Sequence, residues 1–429
     1  MARFDLEAEL TSRGLVAQQT DAELFHRLAT KSTSVYCGFD PTADSLHVGN
    51  LLMLCTLRRF QLAGHRPIAL AGGATGMVGD PGGRSEERSL LSAEQLQQNL
   101  VGINEQLGRF LDFSAGAGSA QALQLDNASW LSPMSVLSYL RDIGKHFTVN
   151  EMVAKDSVKS RFERPDHGIS YTEFSYMLLQ AADFLHLYQN FDCTVQVGGS
   201  DQWGNITAGT SLIRKVTGGH AAGLTMPLVT KADGTKFGKS VGGAVWLDAN
   251  KTSPYQLYQF FMGAEDAMAP SYLRYFTFLS TDELNHLEVA TNEAPHLRAA
   301  QRRLAKEVTT LVHGAEHADR AEQASVALFS GTVASLDAIA LRAISSDVPT
   351  STVAKTSLSK GISVLDAAVG AGLLSSKAEG RRSIEQGGLS VNDVRVEDVD
   401  ALLGADQVRD GGFIILRKGK RQYHLLTVE

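Results

Sequence analysis

The sequence predicts an α/β protein: a parallel sheet carrying a helical insertion, then an α-helical domain, then a small α+β domain. Three observations predict it. A strand, a helix and a second strand follow one another between residues 34 and 71, which is a βαβ unit with a right-handed crossover. From 253 to about 330 the apolar periodicity is helical, with no strong strand. Behind a stretch rich in Ser, Thr, Pro and Lys, residues 361–429 read as two short helices followed by several short strands.

Each element has a local reason. Residues 3–30 read as amphipathic helix broken near Gly14. Ser34-Val35-Tyr36-Cys37-Gly38-Phe39 is rich in β-formers and stops at Asp40-Pro41. From Asn50 to Ala63 apolar Leu51, Leu54, Leu57 and Phe60 recur every third residue, and Gly64 ends the helix. Pro67 to Ala71 is a second strand running into glycines 72, 73, 76 and 79. Residues 85–150 read as mostly helical, an insertion between halves of the sheet. Ser170-Tyr171-Thr172-Glu173 opens a helix that runs to about Tyr188, and Cys193 to Val197 is the next strand. The expected boundaries are 1–248 for the sheet domain (insertion about 85–190), 249–342 for the helical domain, 343–360 for a linker and 361–429 for the last domain.

Of 429 residues 43% are hydrophobic, enough for real cores. A net charge of -7 argues against a chain that coats nucleic acid indiscriminately, and leaves room for a local basic patch. No apolar run approaches the ~18 residues of a membrane span. The first ten residues lack the basic start and apolar stretch of a signal peptide. Cys37, Cys55 and Cys193 are too few for a disulfide framework and no pair is spaced for zinc, so a reducing cytoplasm is expected.

Four stretches carry chemistry. His47-Val48-Gly49-Asn50 sits where a loop enters a helix, and a helix N-terminus suits a phosphate. Thr42 adds a hydroxyl nearby. Lys236-Phe237-Gly238-Lys239-Ser240 lies in a glycine-rich basic loop, able to bring two ammonium groups to a triphosphate. Tyr176, Gln180 and Asp183 fall within roughly 60° of one another on one helix face. Gly198-Gly199-Ser200-Asp201-Gln202-Trp203-Gly204-Asn205 follows a strand directly, and parallel sheets bind ligands beyond their carboxyl strand ends. Tyr36, Asp40 and Asp80 share that situation.

With these residues together, the chain resembles the bacterial tyrosyl-tRNA synthetases, class I aminoacyl-tRNA synthetases, essentially from end to end. His47 to Asn50 is similar to the family's HIGH-type motif and Lys236 to Ser240 to its KMSKS-type motif. Tyr36 to Thr42, Gly79-Asp80-Pro81 and Gly199 to Asn205 also look like family signatures. The resemblance implies a Rossmann-like catalytic domain and an RNA-binding C-terminal domain. It implies that Tyr36 and Asp183 bond the substrate's phenolic hydroxyl, that Asp80, Tyr176 and Gln180 hold its ammonium group, and that Gln202 lies near its carboxylate. Cys37 and Asp201 would touch the ATP ribose, and Thr42 and His47 the γ-phosphate. Lys236 and Lys239 would close over the pyrophosphate. Gly38, Asp40, Gly49, Asn50 and Ser240 complete the implied ATP site. Arg84 stands where the family often has a lysine, with Arg88 behind it. Arg381, Arg382, Arg417, Lys418, Lys420 and Arg421 would meet tRNA. Tyrosine, ATP with Mg²⁺ and tRNA are the implied substrates, a homodimer the implied assembly, and no tightly bound protein metal is expected.

The motifs also depart from the family pattern. Asn50 replaces the second histidine, Phe237 and Gly238 replace Met and Ser, and Met53 near the ribose position lacks a hydroxyl. Two other readings remain: a different adenylating nucleotidyltransferase, and a non-enzymatic RNA-binding relative with a decayed body.

Overall fold

The structure, a computed structural model, describes residues 4–80, 92–155, 158–159, 169–235, 237–240, 243–330, 336, 338–345, 348–419 and 422–429. The chain divides into two units, residues 1–248 with 265–300 and residues 249–264 with 301–429.

The first unit holds a six-stranded sheet: β1 Gln18–Gln19, β2 Ser34–Phe39, β3 Arg66–Ala71, β4 Leu123–Asp126, β5 Cys193–Gly199 and β6 Ala222–Met226. Their order is β1-β6-β5-β2-β3-β4, and only the β1 pairing is antiparallel. Central strands are covered on both faces, so β2 and β5 are buried almost throughout. From β2 the chain moves outward to β3, and from β5 it moves the other way to β6. The carboxyl ends of β2 and β5 therefore diverge at a switch point, where a crevice opens.

Helix α1, Leu51–Leu62, packs on β2 and β3. Helix α2, Tyr171–Phe191, begins where the Ser170 hydroxyl accepts the Glu173 N–H at 3.2 Å, and ends at Asp192 with φ 50°. It packs on helix α3, Trp203–Thr217, and both lie on β5. Tyr36, Leu70, Phe184, Leu187 and Leu212 meet in the core between them. Helix α4, Ala269–Phe276, belongs to the same unit. Its last turn is held by two arginines of low exposure: Arg13 donates to the Arg274, Thr277 and Leu279 carbonyls, and Arg59 of α1 to those of Arg274, Tyr275 and Thr277.

One strand differs from the sequence reading. Residues 123–126, expected within the mostly helical insertion, join the main sheet beside β3. Leu123-Gln124-Leu125-Asp126 alternates in the strand period, but the run is too short to declare itself against helical neighbours.

In the second unit, helices Pro254–Met262, Ala315–Ser330 and Ala338–Ser345 accompany a five-stranded sheet. Its order is Val394–Arg395, Leu389–Val391, Phe413–Lys418, Gln422–Val428, Thr350–Val353. The last of these strands comes from the expected linker and pairs in parallel with the C-terminal strand, so Thr350–Val353 is not free chain. Strand alternation lets the two longer strands serve two cores. Ile414, Leu416 and Leu426 enter one apolar cluster, while Phe413, Ile415, Tyr423 and Leu425 pack with Ala324, Ala327 and Leu341 in another.

Candidate active site

The crevice beyond β2, β3 and β5 is a cavity of about 260 Å³. Tyr36, Cys37, Gly38, Asp40, Thr42, His47, Asn50, Asp80, Tyr176, Gln180, Asp183 and Gln202 all line it. Residues 147 positions apart, Tyr36 and Asp183, thus meet at its deep end. The Asp183 carboxylate accepts the Asn127 amide at 2.9 Å on one oxygen and the Trp130 indole N–H at 2.8 Å on the other. Burial pushes its carboxyl up to about 7; those two donors pull the other way, and the charges of Asp40 and Asp126 push it further up. Burial, then the Asp183 charge, holds the Tyr36 phenol well above its usual range. The Tyr36 hydroxyl is buried without a hydrogen-bond partner among the described residues. A buried hydroxyl of this kind costs stability unless a ligand supplies its partner.

Beside this end the polar side chains form a chain of bonds. Tyr176 donates to Asp40 at 3.0 Å, and Thr75 donates to the other Asp40 oxygen at 3.0 Å. Asn127 reaches Thr75 at 3.0 Å, linking this group to Asp183. Gln202 donates to Asp80 at 2.5 Å, and Asn205 donates to both Gln202 and Gln180, at 3.2 and 3.1 Å. Among the described lining residues three carboxylates stand (Asp40, Asp80 and Asp183) with no lysine or arginine, so this part of the cavity favours a cation.

At the other end, His47 caps the helical turn that leads into α1. Its Nδ1 accepts the Gly49 N–H at 3.0 Å, and the Asn50 side-chain oxygen accepts the His47 N–H at 3.1 Å. An accepting Nδ1 leaves the neutral ring's proton on Nε2, a donor suited to a phosphate. A Cβ on Gly49 would lie 2.7 Å from the His47 ring, so only glycine permits this fold-back. Asn50 is thus a cap as well as a lining residue, and an amide serves that role.

The second motif lies against the first. The Val48 N–H bonds the Val245 carbonyl at 2.9 Å, and the Val245 N–H bonds the Gly238 carbonyl at 3.2 Å. Gly238 has φ 101°, and a Cβ there would stand 3.3 Å from the Gly49 nitrogen. Phe237 packs its ring 4.6 Å from Tyr272 and 5.6 Å from Phe276 of α4. The Tyr272 hydroxyl also bonds the Thr230 carbonyl at 2.7 Å. Residues Lys239–Ser240 form a short ribbon with Gly243–Ala244. Arg84, Arg88 and Lys236 lie outside the described residues, as do the side chains of Lys239 and Ser240.

Some expected residues are not gathered here. Asp201 is exposed, in the turn Ser200–Gln202, and does not line the cavity. In the second unit Arg381 and Arg382 are exposed on helix Lys377–Glu385. Lys418, expected to face RNA, is paired with Glu379 at 2.6 Å, a bond that draws the Glu379 carboxyl down to about 2. Arg417 is half-buried, 3.9 Å from Asp393. Lys420 and Arg421 lie outside the described residues. Conversely, sequence reasoning gave no role to Thr75, Asn127, Trp130 or Asn205. The Asp126-Asn127 pair ending an alternating run was the available signal for the middle two.

The family described as tRNA synthetases class I (W and Y) matches residues 28–330, and the tyrosine–tRNA ligase SYY-like C-terminal domain matches residues 340–426. A tyrosine–tRNA ligase of Roseiflexus castenholzii is 53% identical over 98% of each chain. One of Geobacillus stearothermophilus is 51% identical over 99% of each. The crystal structure of a C-terminally truncated Aspergillus nidulans mitochondrial tyrosyl-tRNA synthetase superposes with a TM-score of 0.68 at 33% identity, covering 76% of this chain and 95% of that one.

Proposed function

The chain belongs to the class I tRNA synthetases of the tryptophan and tyrosine type, and on that premise we propose that it is a tyrosine–tRNA ligase whose cavity binds tyrosine, phenol end inward. The buried, unpartnered Tyr36 hydroxyl beside Asp183 carries this reading. A phenolic hydroxyl donates to the Asp183 carboxylate and accepts from Tyr36. Phenylalanine would leave both unpaired in a dry site, the penalty for which this enzyme family is itself the standard illustration. The ammonium group is held by Asp80, Tyr176 and Gln180, in the region of negative potential that Asp40 and Asp80 create. Gln202 attends the carboxylate.

Tyrosine's carboxylate is already a nucleophile. It attacks the α-phosphorus of ATP in line, giving tyrosyl-adenylate and pyrophosphate, and the tyrosyl group then passes to the terminal adenosine of tRNA. No general base is required for the first step, so the protein contributes positioning and charge stabilisation. His47 Nε2 and Thr42 donate to the phosphates, Cys37 attends the ribose from inside the cavity and Asp201 from the exposed turn after β5, and Gly38, Asp40, Gly49, Asn50 and Ser240 shape the nucleotide site. Lys236, Lys239 and Arg84 balance the pyrophosphate charge. Magnesium enters with ATP, as part of that substrate. Tyrosine-dependent ATP–pyrophosphate exchange, run against a panel of amino acids, tests the assignment. Exchange with tyrosine alone is expected, and exchange driven equally by phenylalanine or tryptophan rejects it.

Exposed Arg381 and Arg382 are the residues best disposed to meet tRNA, and Arg417, Lys418, Lys420 and Arg421, about 35 positions further along the chain, are the remaining candidates. A double Arg381→Glu, Arg382→Glu protein should keep exchange and lose tRNA charging; unchanged charging at moderate salt rejects the role. Val136, Leu137 and Leu140, 72, 79 and 49% exposed on the insertion, support a homodimer, which sedimentation would test. Three free, buried cysteines agree with a cytoplasmic enzyme.

A further inference from the structure

Helix α2 holds one indole twice. Asp183 takes the Trp130 N–H, and His186, three residues on and so on the same face, lies over the indole ring. Their centroids are 4.2 Å apart and the planes 11° from parallel. The imidazole is itself braced. The Asn190 amide donates to the His186 carbonyl at 2.8 Å and stands 3.4 Å from its Nδ1, and the Phe191 ring lies 6.1 Å away. Trp130 is only half-buried, so close packing alone does not fix its ring. Both the indole and the carboxylate end in sp³–sp² torsions with broad wells, which neighbours must narrow.

We propose that His186 is a positioning residue for amino-acid selection: its stack fixes the Trp130 indole, whose N–H fixes the Asp183 carboxylate. His186 does not line the cavity, so it acts only through Trp130. The inference rests on the reading of Asp183 as the acceptor of the substrate hydroxyl. It assigns the stack, not the imidazole's charge or hydrogen bonds, as the working feature.

The test is ATP–pyrophosphate exchange on the full chain with tyrosine and with phenylalanine. His186→Ala should raise KM for tyrosine about three- to tenfold, the size of one aromatic pair. It should lower the preference over phenylalanine by the same factor, with kcat and KM for ATP within about twofold of the parent. His186→Gln, polar but without a ring, should behave as the alanine variant. His186→Phe should restore both tyrosine parameters, and the near-ultraviolet circular dichroism of the indoles with them. A normal tyrosine KM and preference in His186→Ala or His186→Gln overturns the inference, as does a His186→Phe protein no better than His186→Ala. Asp183→Ala separates the two claims. If it is impaired while His186→Ala is normal, only the inference falls. If Asp183→Ala is normal too, the Asp183 reading falls with it.

Discussion

At the Tyr36–Asp183 end of the cavity, Asn127, Trp130 and Asp183 are side chains held by other side chains, whereas at the His47 end His47, Gly49, Val245 and Gly238 meet mainly through backbone. On the proposed function the two ends have different tasks. Telling a hydroxyl from a hydrogen needs dry partners whose alternatives are closed off. A triphosphate must enter, react and leave as pyrophosphate, so donors on a helix N-terminus and on glycine-rich backbone serve better. Substitutions at the first end should therefore appear in tyrosine affinity and selectivity, and at the second in turnover and ATP dependence.

The largest expected effect tests the second end. Lys236→Ala should lower kcat for exchange by about a hundred- to a thousandfold while tyrosine binding, followed by equilibrium dialysis, stays within twofold. Intact exchange breaks the assignment. Asp183→Ala comes next, with kcat/KM for tyrosine down on the order of a hundredfold and most selectivity over phenylalanine gone. Undiminished discrimination would refute the rigid-end argument. Gly49→Ala should be milder. The new methyl displaces the His47 ring and breaks its bond from the Gly49 N–H, raising KM for ATP roughly tenfold with tyrosine KM unmoved. A shift in tyrosine KM instead would show that the two ends are not independent.

The smallest effect is a pH dependence. With its carboxyl raised from 3.8 to about 7, Asp183 binds a proton in the folded state that the unfolded chain has released. Its contribution to stability is therefore fully present below pH 4 and is lost as pH rises towards 7. Tyrosine affinity should move oppositely, improving from pH 6 to pH 8 as the carboxylate forms. In Asp183→Asn that step should vanish; a step that survives belongs to another group.

How much of this was legible in the sequence follows the same division. Helical spacing was enough to align Tyr176, Gln180 and Asp183, because a face is a local property. His47 declared itself by standing before a helix. Asn127 and Trp130 did not, because their approach to Asp183 depends on Leu123–Asp126 pairing with Arg66–Ala71, across more than fifty residues. Thr75 and Asn205 were hidden for a related reason: each matters as the middle of a bond chain whose ends lie on other elements. The expected linker misled through composition. Its Ser and Thr residues suit an exposed edge strand as well as free chain, and only the C-terminal strand decides between them.

Gly238 bears on what happens when loops are exchanged between relatives. At φ 101° its backbone sits where L-residues rarely go, so the serine found there in the commoner motif cannot copy this resting geometry without strain. A graft carrying that serine would keep both lysines and disturb instead the seat of this backbone beside Val48 and Gly49. Two sequences equivalent in charge would then differ in the backbone they present to the His47 turn.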